Sequence, residues 1–318
     1  MEKTGILLVN LGTPDAPTTA AVRTYLQEFL SDYRVIDLPR IQWLPILHGI
    51  ILRTRPRKSA KLYQSIWTEE GSPLLTNSQL QHTALQTKLQ SDNIQVALAM
   101  NYGNPSVSSE LERLHRWGMR KLIVLPLFQQ YSSTTTASVW DNVVQTISKW
   151  RDIPEFIFIR DFPDHPLFIN FLAKGIEECI AKNGHPDCII LSYHGIPIRY
   201  AETGDDYPNR CRKTTEAIQK IFPNETFIEC YQSKFGKEPW IEPSTSDTLQ
   251  SLAQQGKKHV MILAPSFTAD CLETLEELEK ENREIFMKAG GQSYHYIRAA
   301  NSDPLFIDTL EDLIRSYL

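Results

Sequence analysis

The sequence predicts an α/β protein built from two similar Rossmann-like lobes, each a parallel sheet flanked by helices, with a ligand cleft between them. Three observations carry this. Short unbroken apolar runs alternate with longer segments of helical periodicity, the pattern of strands covered on both faces. The second half repeats the Gly/Pro punctuation of the first. The 318 residues, 42% of them hydrophobic, suffice for two domains of the usual ~100–200 residues.

In chain order, the predicted strands are 5–9, 94–100, 121–125, 188–191, 226–230 and 259–263. Each is too short for a helix and ends in turn residues. The predicted helices between them are 20–30, 77–89, 107–117, 138–150, 168–181, 212–222 and 245–255. The repeat is visible at strand ends. Leu11-Gly12-Thr13-Pro14 closes the first strand and His194-Gly195-Ile196-Pro197 the fourth; Gly118 and Pro126 bracket the third as Gly256 and Pro265 bracket the sixth. With 145–165 as the crossover, the expected lobes are 1–146 and 147–318.

Composition narrows the function. There are 33 Lys+Arg against 38 Asp+Glu, a net charge of −5, and no long basic run, which argues against a nucleic-acid partner. The five cysteines are scattered without a Cys-x-x-Cys pair, arguing against a disulfide scaffold or structural zinc and for a reducing, cytoplasmic setting. No run approaches the ~20 apolar residues that cross a bilayer, and no signal peptide opens the chain.

In doubly wound sheets the loops after the strands build the site. His194 stands at such an end. The sixth strand leads into Cys271-Leu-Glu273-Thr-Leu-Glu-Glu277-Leu-Glu-Lys-Glu281, whose glutamates recur at four-residue steps. On an α-helix such steps drift by about 40°, and a π-bulge would straighten the line. As a solvated helix face this row is unremarkable, but like charges at this spacing repel, and a cation offsets the repulsion. Carboxylates with one imidazole suit a labile divalent ion such as Fe²⁺. Tyr102, Tyr131 and Trp240 follow other strands; singly each reads as packing, together they suit a flat aromatic ligand. From Ile41 to Leu52 the chain is strongly apolar, then basic through Arg53, Arg55, Arg57 and Lys58. This is either a core helix with a solvated turn or an apolar lip with a cationic rim, able to meet a membrane surface or a ligand's carboxylates.

Seven motifs in order then show that the chain resembles the ferrochelatases: Leu-Val-Asn-Leu-Gly-Thr-Pro, Glu-Gly-Ser72-Pro-Leu, Gln-Tyr131-Ser-Ser-Thr-Thr-Thr, Ser-Tyr-His194-Gly-Ile-Pro, Gly204-Asp-Asp-Tyr207-Pro, Tyr-Gln-Ser-Lys-Phe-Gly with Trp240, and Ala-Asp-Cys-Leu-Glu273. The resemblance implies insertion of Fe²⁺ into protoporphyrin IX with loss of two protons, the last step of haem synthesis. It implies His194 and Glu273 as catalytic groups, and His194, Glu273, Glu277 and Glu281 as metal-handling groups. It implies Leu11, Arg53, Arg55, Ser72, Tyr131 and Trp240 as porphyrin-binding residues. Fe²⁺ is then a substrate, with no permanently bound cofactor. No iron–sulfur cluster is expected, because no cysteine follows Cys271. Many relatives carry histidine where this chain has Cys271. The expected protein is a cytoplasmic monomer, touching a membrane peripherally through its lip. Coproporphyrin III as substrate and a non-catalytic tetrapyrrole carrier are the alternatives; the apolar lip leans towards protoporphyrin. A nucleotide-binding oxidoreductase lacks its Gly-x-Gly-x-x-Gly.

Overall fold

A computed structural model describes residues 2–318. Its strands are β1 (Thr4–Gly12), β2 (Ile94–Tyr102), β3 (Lys121–Pro126), β4 (Glu155–Phe158), β5 (Cys188–His194), β6 (Phe227–Gln232), β7 (His259–Leu263) and β8 (Ser293–Ile297). They form two parallel sheets of identical plan, β2-β1-β3-β4 and β6-β5-β7-β8. The duplication read from the sequence is thus a duplication of topology. Sequence reasoning missed β4 and β8, the fourth strand of each sheet. The reason is local: Glu-Phe-Ile-Phe and Ser-Tyr-His-Tyr-Ile are half-exposed edge strands, so neither reads as a buried apolar run.

The helices are α1 (Thr19–Ser31), α2 (Arg40–Ile46), α3 (Leu52–Ile66), α4 (Pro73–Lys88), α5 (Val107–Trp117), α6 (Thr136–Ile147), α7 (Pro166–Asn183), α8 (Ile198–Glu202), α9 (Tyr207–Ile221), α10 (Thr245–Gln254), α11 (Arg283–Lys288) and α12 (Pro304–Arg315). Two π-helical segments, Leu47–Ile51 and Glu273–Asn282, interrupt this series.

Two compact units result, 1–161 with 307–318, and 162–306. Because β4 pairs with β3, the first unit runs on past residue 146. The chain end returns to it through Lys88, whose Nζ lies 2.5 Å from Asp308 and 3.2 Å from Glu311 of α12.

Each unit has its own core. In the first, Leu7, Val9, Ala97, Ala99, Leu122 and Val124 of the sheet pack with Leu111 and Leu114 of α5 and Val139 and Val143 of α6. In the second, Cys188, Ile190, Cys230, Val260 and Ile262 pack with Leu249 of α10, Leu278, and Phe286 of α11. The corresponding helices α5 and α10 start alike, after Pro-Ser. The Ser106 hydroxyl accepts from Ser109 N–H, and the Ser244 hydroxyl from Asp247 N–H, both at 3.2 Å. These are N-caps that satisfy an orphan helix donor. Gly12 closes β1 with φ +117°, and a Cβ there would fall 1.8 Å from the Tyr102 carbonyl oxygen. Only glycine permits so close a strand-end approach.

The segment from residue 41 to 52 is one continuous helical run with α3 rather than a helix ending in a basic turn. Trp43, Leu47 and Leu52 are buried, while Ile41 is 86% exposed and Ile50 58%. The Trp43 indole N–H donates to Leu30 O at 2.6 Å and ties the run to α1. Among the described residues, no helix is long and apolar enough to cross a membrane.

Candidate active site

The second unit gathers its titratable groups at the carboxyl ends of its strands. His194 ends β5 opposite Gln232 of β6. Its Nδ1 lies 2.7 Å from the Gly195 carbonyl oxygen. A carbonyl only accepts, so this bond assigns a proton to Nδ1, and in the neutral ring the lone pair is on Nε2. Trp240 and Phe267 flank the imidazole, each with ring centroid at 6.4 Å. Gly195 admits the indole, since a Cβ there would meet Trp240 Cε3 at 3.0 Å. The Trp240 Nε1–H itself is buried without an acceptor.

The glutamate row lies on the π-helical segment Glu273–Asn282. An i→i+5 helix turns less per residue than an α-helix, and such segments recur at functional sites. The π-helical geometry that the four-residue steps raised as a possibility is present across the whole row. Its start is pinned by Asp270, a buried carboxylate that accepts from Thr274 Oγ1 at 2.9 Å, Tyr296 OH at 2.8 Å and Asn301 Nδ2 at 2.8 Å.

Gln232 and Ser233 join the histidine to this helix. Gln232 O accepts from Gly195 N–H at 2.8 Å. The Gln232 carboxamide accepts from Ser192 Oγ at 2.9 Å and donates from Nε2 to the Glu273 carbonyl oxygen at 2.9 Å. Ser233 turns into the left-handed region, φ +65°, uncommon for a side-chain-bearing residue. There its N–H reaches Glu277 Oε1 at 2.7 Å and its hydroxyl donates to Oε2, which also receives Gln232 Nε2 at 3.3 Å. Burial pushes the Glu277 carboxyl up; the two Ser233 bonds and His194 pull it back, and Glu273 adds to the rise. Glu281, further out and exposed, is also raised, by burial first and then by the Glu277 charge. Cys271 is buried, its thiol pushed well up by that burial and by Glu273, so it is a neutral neighbour rather than a reactive thiolate.

Among the described residues, no three His, Cys, Asp or Glu side chains converge into a metal cage. Glu273, Glu277 and Glu281 follow one another along the π-helical segment, and the Glu277 carboxyl is near enough to His194 to feel its charge.

The porphyrin-binding candidates are distributed over both units. Leu11 is half-buried against the first core. Ser72 is buried, its hydroxyl 2.8 Å from Thr13 Oγ1. Arg53 is exposed and Arg55 half-buried on α3. Tyr131 has the Arg160 guanidinium 3.8 Å from its ring centroid, a cation–π contact that occupies one face. Tyr102 proves to be packing: it is buried, and its OH donates to Asp32 at 2.8 Å. Sequence reasoning missed Gln232, Ser233 and Phe267 as site residues. Gln232 and Ser233 lie within the Tyr-Gln-Ser-Lys-Phe-Gly motif, the one signal that could have found them.

Comparisons with known proteins identify the family of the whole chain. A family description named Ferrochelatase matches residues 3–318. The coproporphyrin III ferrochelatase of Symbiobacterium thermophilum is 58% identical over 318 residues, covering 100% of this chain and 99% of that protein. The ferrochelatase of Pectobacterium atrosepticum is 52% identical, covering 98% of each. In fold, the chain is similar to SirB from Bacillus subtilis with Fe³⁺, at TM-score 0.57 and 11% identity, covering 99% of this chain and 95% of that one. It is similar also to CbiX, the terminal enzyme of sirohaem biosynthesis in denitrifying bacteria, at TM-score 0.54 and 12% identity, covering 99% of each. This chain belongs to the ferrochelatase family, lyases that insert a metal into a porphyrin.

Proposed function

We propose that this chain inserts Fe²⁺ into coproporphyrin III, with His194 as the proton acceptor. The observation that carries the chemistry is the His194 tautomer: Nδ1 is committed to Gly195 O, so Nε2 offers its lone pair. Insertion must remove two pyrrole N–H protons. An imidazole nitrogen with a free lone pair, held at a strand end, is a suitable acceptor for such protons. Glu273, Glu277 and Glu281 continue from it as an open line of carboxylates, along which protons leave and the metal substrate arrives. An open line suits an ion that must be given up, where a closed cage would trap it. Trp240 contacts the macrocycle beside His194, and its buried N–H donates to a ligand oxygen. Contacts of this kind, remote from the metal, offset the cost of bending the ring.

Coproporphyrin III carries four propionates against two in protoporphyrin IX. Arg53, Arg55 and Ser72 serve these carboxylates, and the chain's 58% identity to a coproporphyrin III ferrochelatase supports that choice. Protoporphyrin IX is the second reading, favoured by the exposed Ile41, Ile46 and Ile50, which suit its apolar vinyl edge. The same side chains would rest on a membrane surface from the cytoplasm, with the protein a monomer and no resident cofactor or iron–sulfur cluster.

The test is anaerobic turnover with Fe²⁺ and each porphyrin in parallel, followed by the Soret shift. The expected result is insertion with coproporphyrin III preferred, collapsing in His194→Ala and Glu273→Gln. Full turnover by His194→Ala at saturating substrates would remove the assigned base, and a preference for protoporphyrin IX would reverse the substrate.

A further inference from the structure

The Glu277 carboxylate is held by neutral donors rather than by a cation. Glu277 receives the Ser233 N–H at 2.7 Å, the Ser233 hydroxyl, and Gln232 Nε2 at 3.3 Å. A carboxylate offers about four lone-pair sites, so three are committed and one remains. Both donor residues are themselves fixed. Gln232 is the ladder partner of His194, and its amide is oriented by Ser192, whose hydroxyl also lies 2.7 Å from Thr245 Oγ1. Ser233 follows directly, and its left-handed backbone aims N–H and Oγ at the same carboxylate. Non-glycine residues are uncommon in that conformation and persist where surrounding structure enforces them. Here the two bonds to Glu277 are the visible return.

We infer that Ser233 is a positioning residue for metal handling: it clamps Glu277 in one rotamer, so that a single oxygen lone pair remains directed for the ion next to the His194 strand end. Ser233 itself does not touch the metal. The clamp makes a fixed donor of a side chain whose counterpart at Glu281 is exposed to solvent. Partners of this kind, which orient a ligand from behind, typically change metal affinity or activity by 10–100-fold when lost.

This inference rests on the proposed role of the glutamate row, and its test separates the two. Ser233→Gly is the informative variant, since glycine accepts the positive φ and keeps the backbone N–H while removing the hydroxyl. Ser233→Ala removes the same hydroxyl but retains the backbone strain. Fe²⁺ alone is titrated anaerobically by calorimetry into each full-length variant, and steady-state insertion is measured beside it. The clamp predicts Fe²⁺ affinity reduced about tenfold in Ser233→Gly, the KM for Fe²⁺ raised in step, the KM for porphyrin unchanged, and the melting temperature retained. In a Glu277→Gln background the Ser233→Gly change adds nothing. Wild-type Fe²⁺ affinity in Ser233→Gly, or effects of the two substitutions that simply add, would overturn the clamp, as would a wild-type protein that binds no Fe²⁺. A wild-type protein that binds Fe²⁺ with this Ser233 dependence yet inserts none would overturn the insertion reading and leave the clamp standing.

Discussion

The two units share one strand order, yet the segment after the third strand of each differs in kind. After β3 comes a regular α-helix, α6, whose polar face is spent on structure. Asn101 Nδ2 donates to Ser138 Oγ at 2.8 Å, Asn142 Nδ2 to Asn101 Oδ1 at 2.8 Å, and Tyr102 OH to Asp32 at 2.8 Å. After β7 comes the π-helical segment Glu273–Asn282, which carries the row Glu273, Glu277 and Glu281. One frame therefore supports two outcomes. Where strand-end polar groups satisfy one another the result is a rigid buried network. The strand-end groups beside His194 are the ones proposed above to carry the chemistry.

The largest test of this contrast is activity. Glu273→Gln and His194→Ala should each lower insertion by about 10²–10⁴-fold, the usual range for a positioned acid or base. Ser138→Ala, at the centre of the first unit's network, should stay within a few-fold of wild type while lowering the urea midpoint. A Ser138→Ala enzyme as inactive as Glu273→Gln would end the division of labour.

Core substitutions come next, because each unit has its own buried core. Phe286→Ala should cost about 3–5 kcal/mol and Leu111→Ala about 2–5 kcal/mol, since both side chains are fully buried. Gly291→Ala belongs with them: a Cβ there would fall 2.2 Å from Phe286 Cε1, and overpacking of this kind typically costs about 1–3 kcal/mol. Denaturant unfolding measures all three, and a cost below 1 kcal/mol at Phe286 would mean the second core is not packed as described. The paired helix starts sharpen the comparison further. Ser106→Ala and Ser244→Ala should each cost about 1 kcal/mol, and a markedly unequal pair would show that the two caps are not equivalent.

The smallest effect is a difference in pH dependence, with opposite signs in the two units. Glu277 is raised by burial beyond what the Ser233 bonds and His194 recover. The folded protein then holds this proton more tightly than the unfolded chain, so its contribution falls as pH rises from the ordinary carboxylate range through the raised value. Burial alone would raise Asp141 too, but its bonds from Arg34 at 2.8 Å and from Tyr33 outweigh burial and hold it low. Its contribution is present at neutral pH and is lost as pH falls through the lowered value; the pair is about one-third exposed, so solvent screens it. Urea midpoints between pH 4 and 8 should therefore lose their neutral-side decline in Glu277→Gln and part of their acid-side decline in Asp141→Asn. Curves parallel to wild type in both variants would remove the electrostatic side of the comparison.

Much of this molecule was legible in the chain itself. The central strands announce themselves because parallel strands buried on both faces must be apolar throughout, and the repeated Gly/Pro punctuation exposes the duplication. His194 and the Glu273–Glu277–Glu281 row were legible from strand-end position and spacing, and even the helix distortion was foreshadowed by the four-residue step. The edge strands β4 and β8 were not, because half-exposed strands lack an unbroken apolar run. Tyr102 illustrates the limit from the other side: an aromatic at a strand end looks like a ligand wall until Asp32, seventy positions away in sequence, is seen to accept its hydroxyl proton. The same holds for Gln232 and Ser233. Composition and periodicity report burial and local geometry, which act between near neighbours. Which donor finds Glu277 depends on β6 being laid beside β5 and on the π-helical segment being brought over its end, and those placements belong to tertiary structure alone.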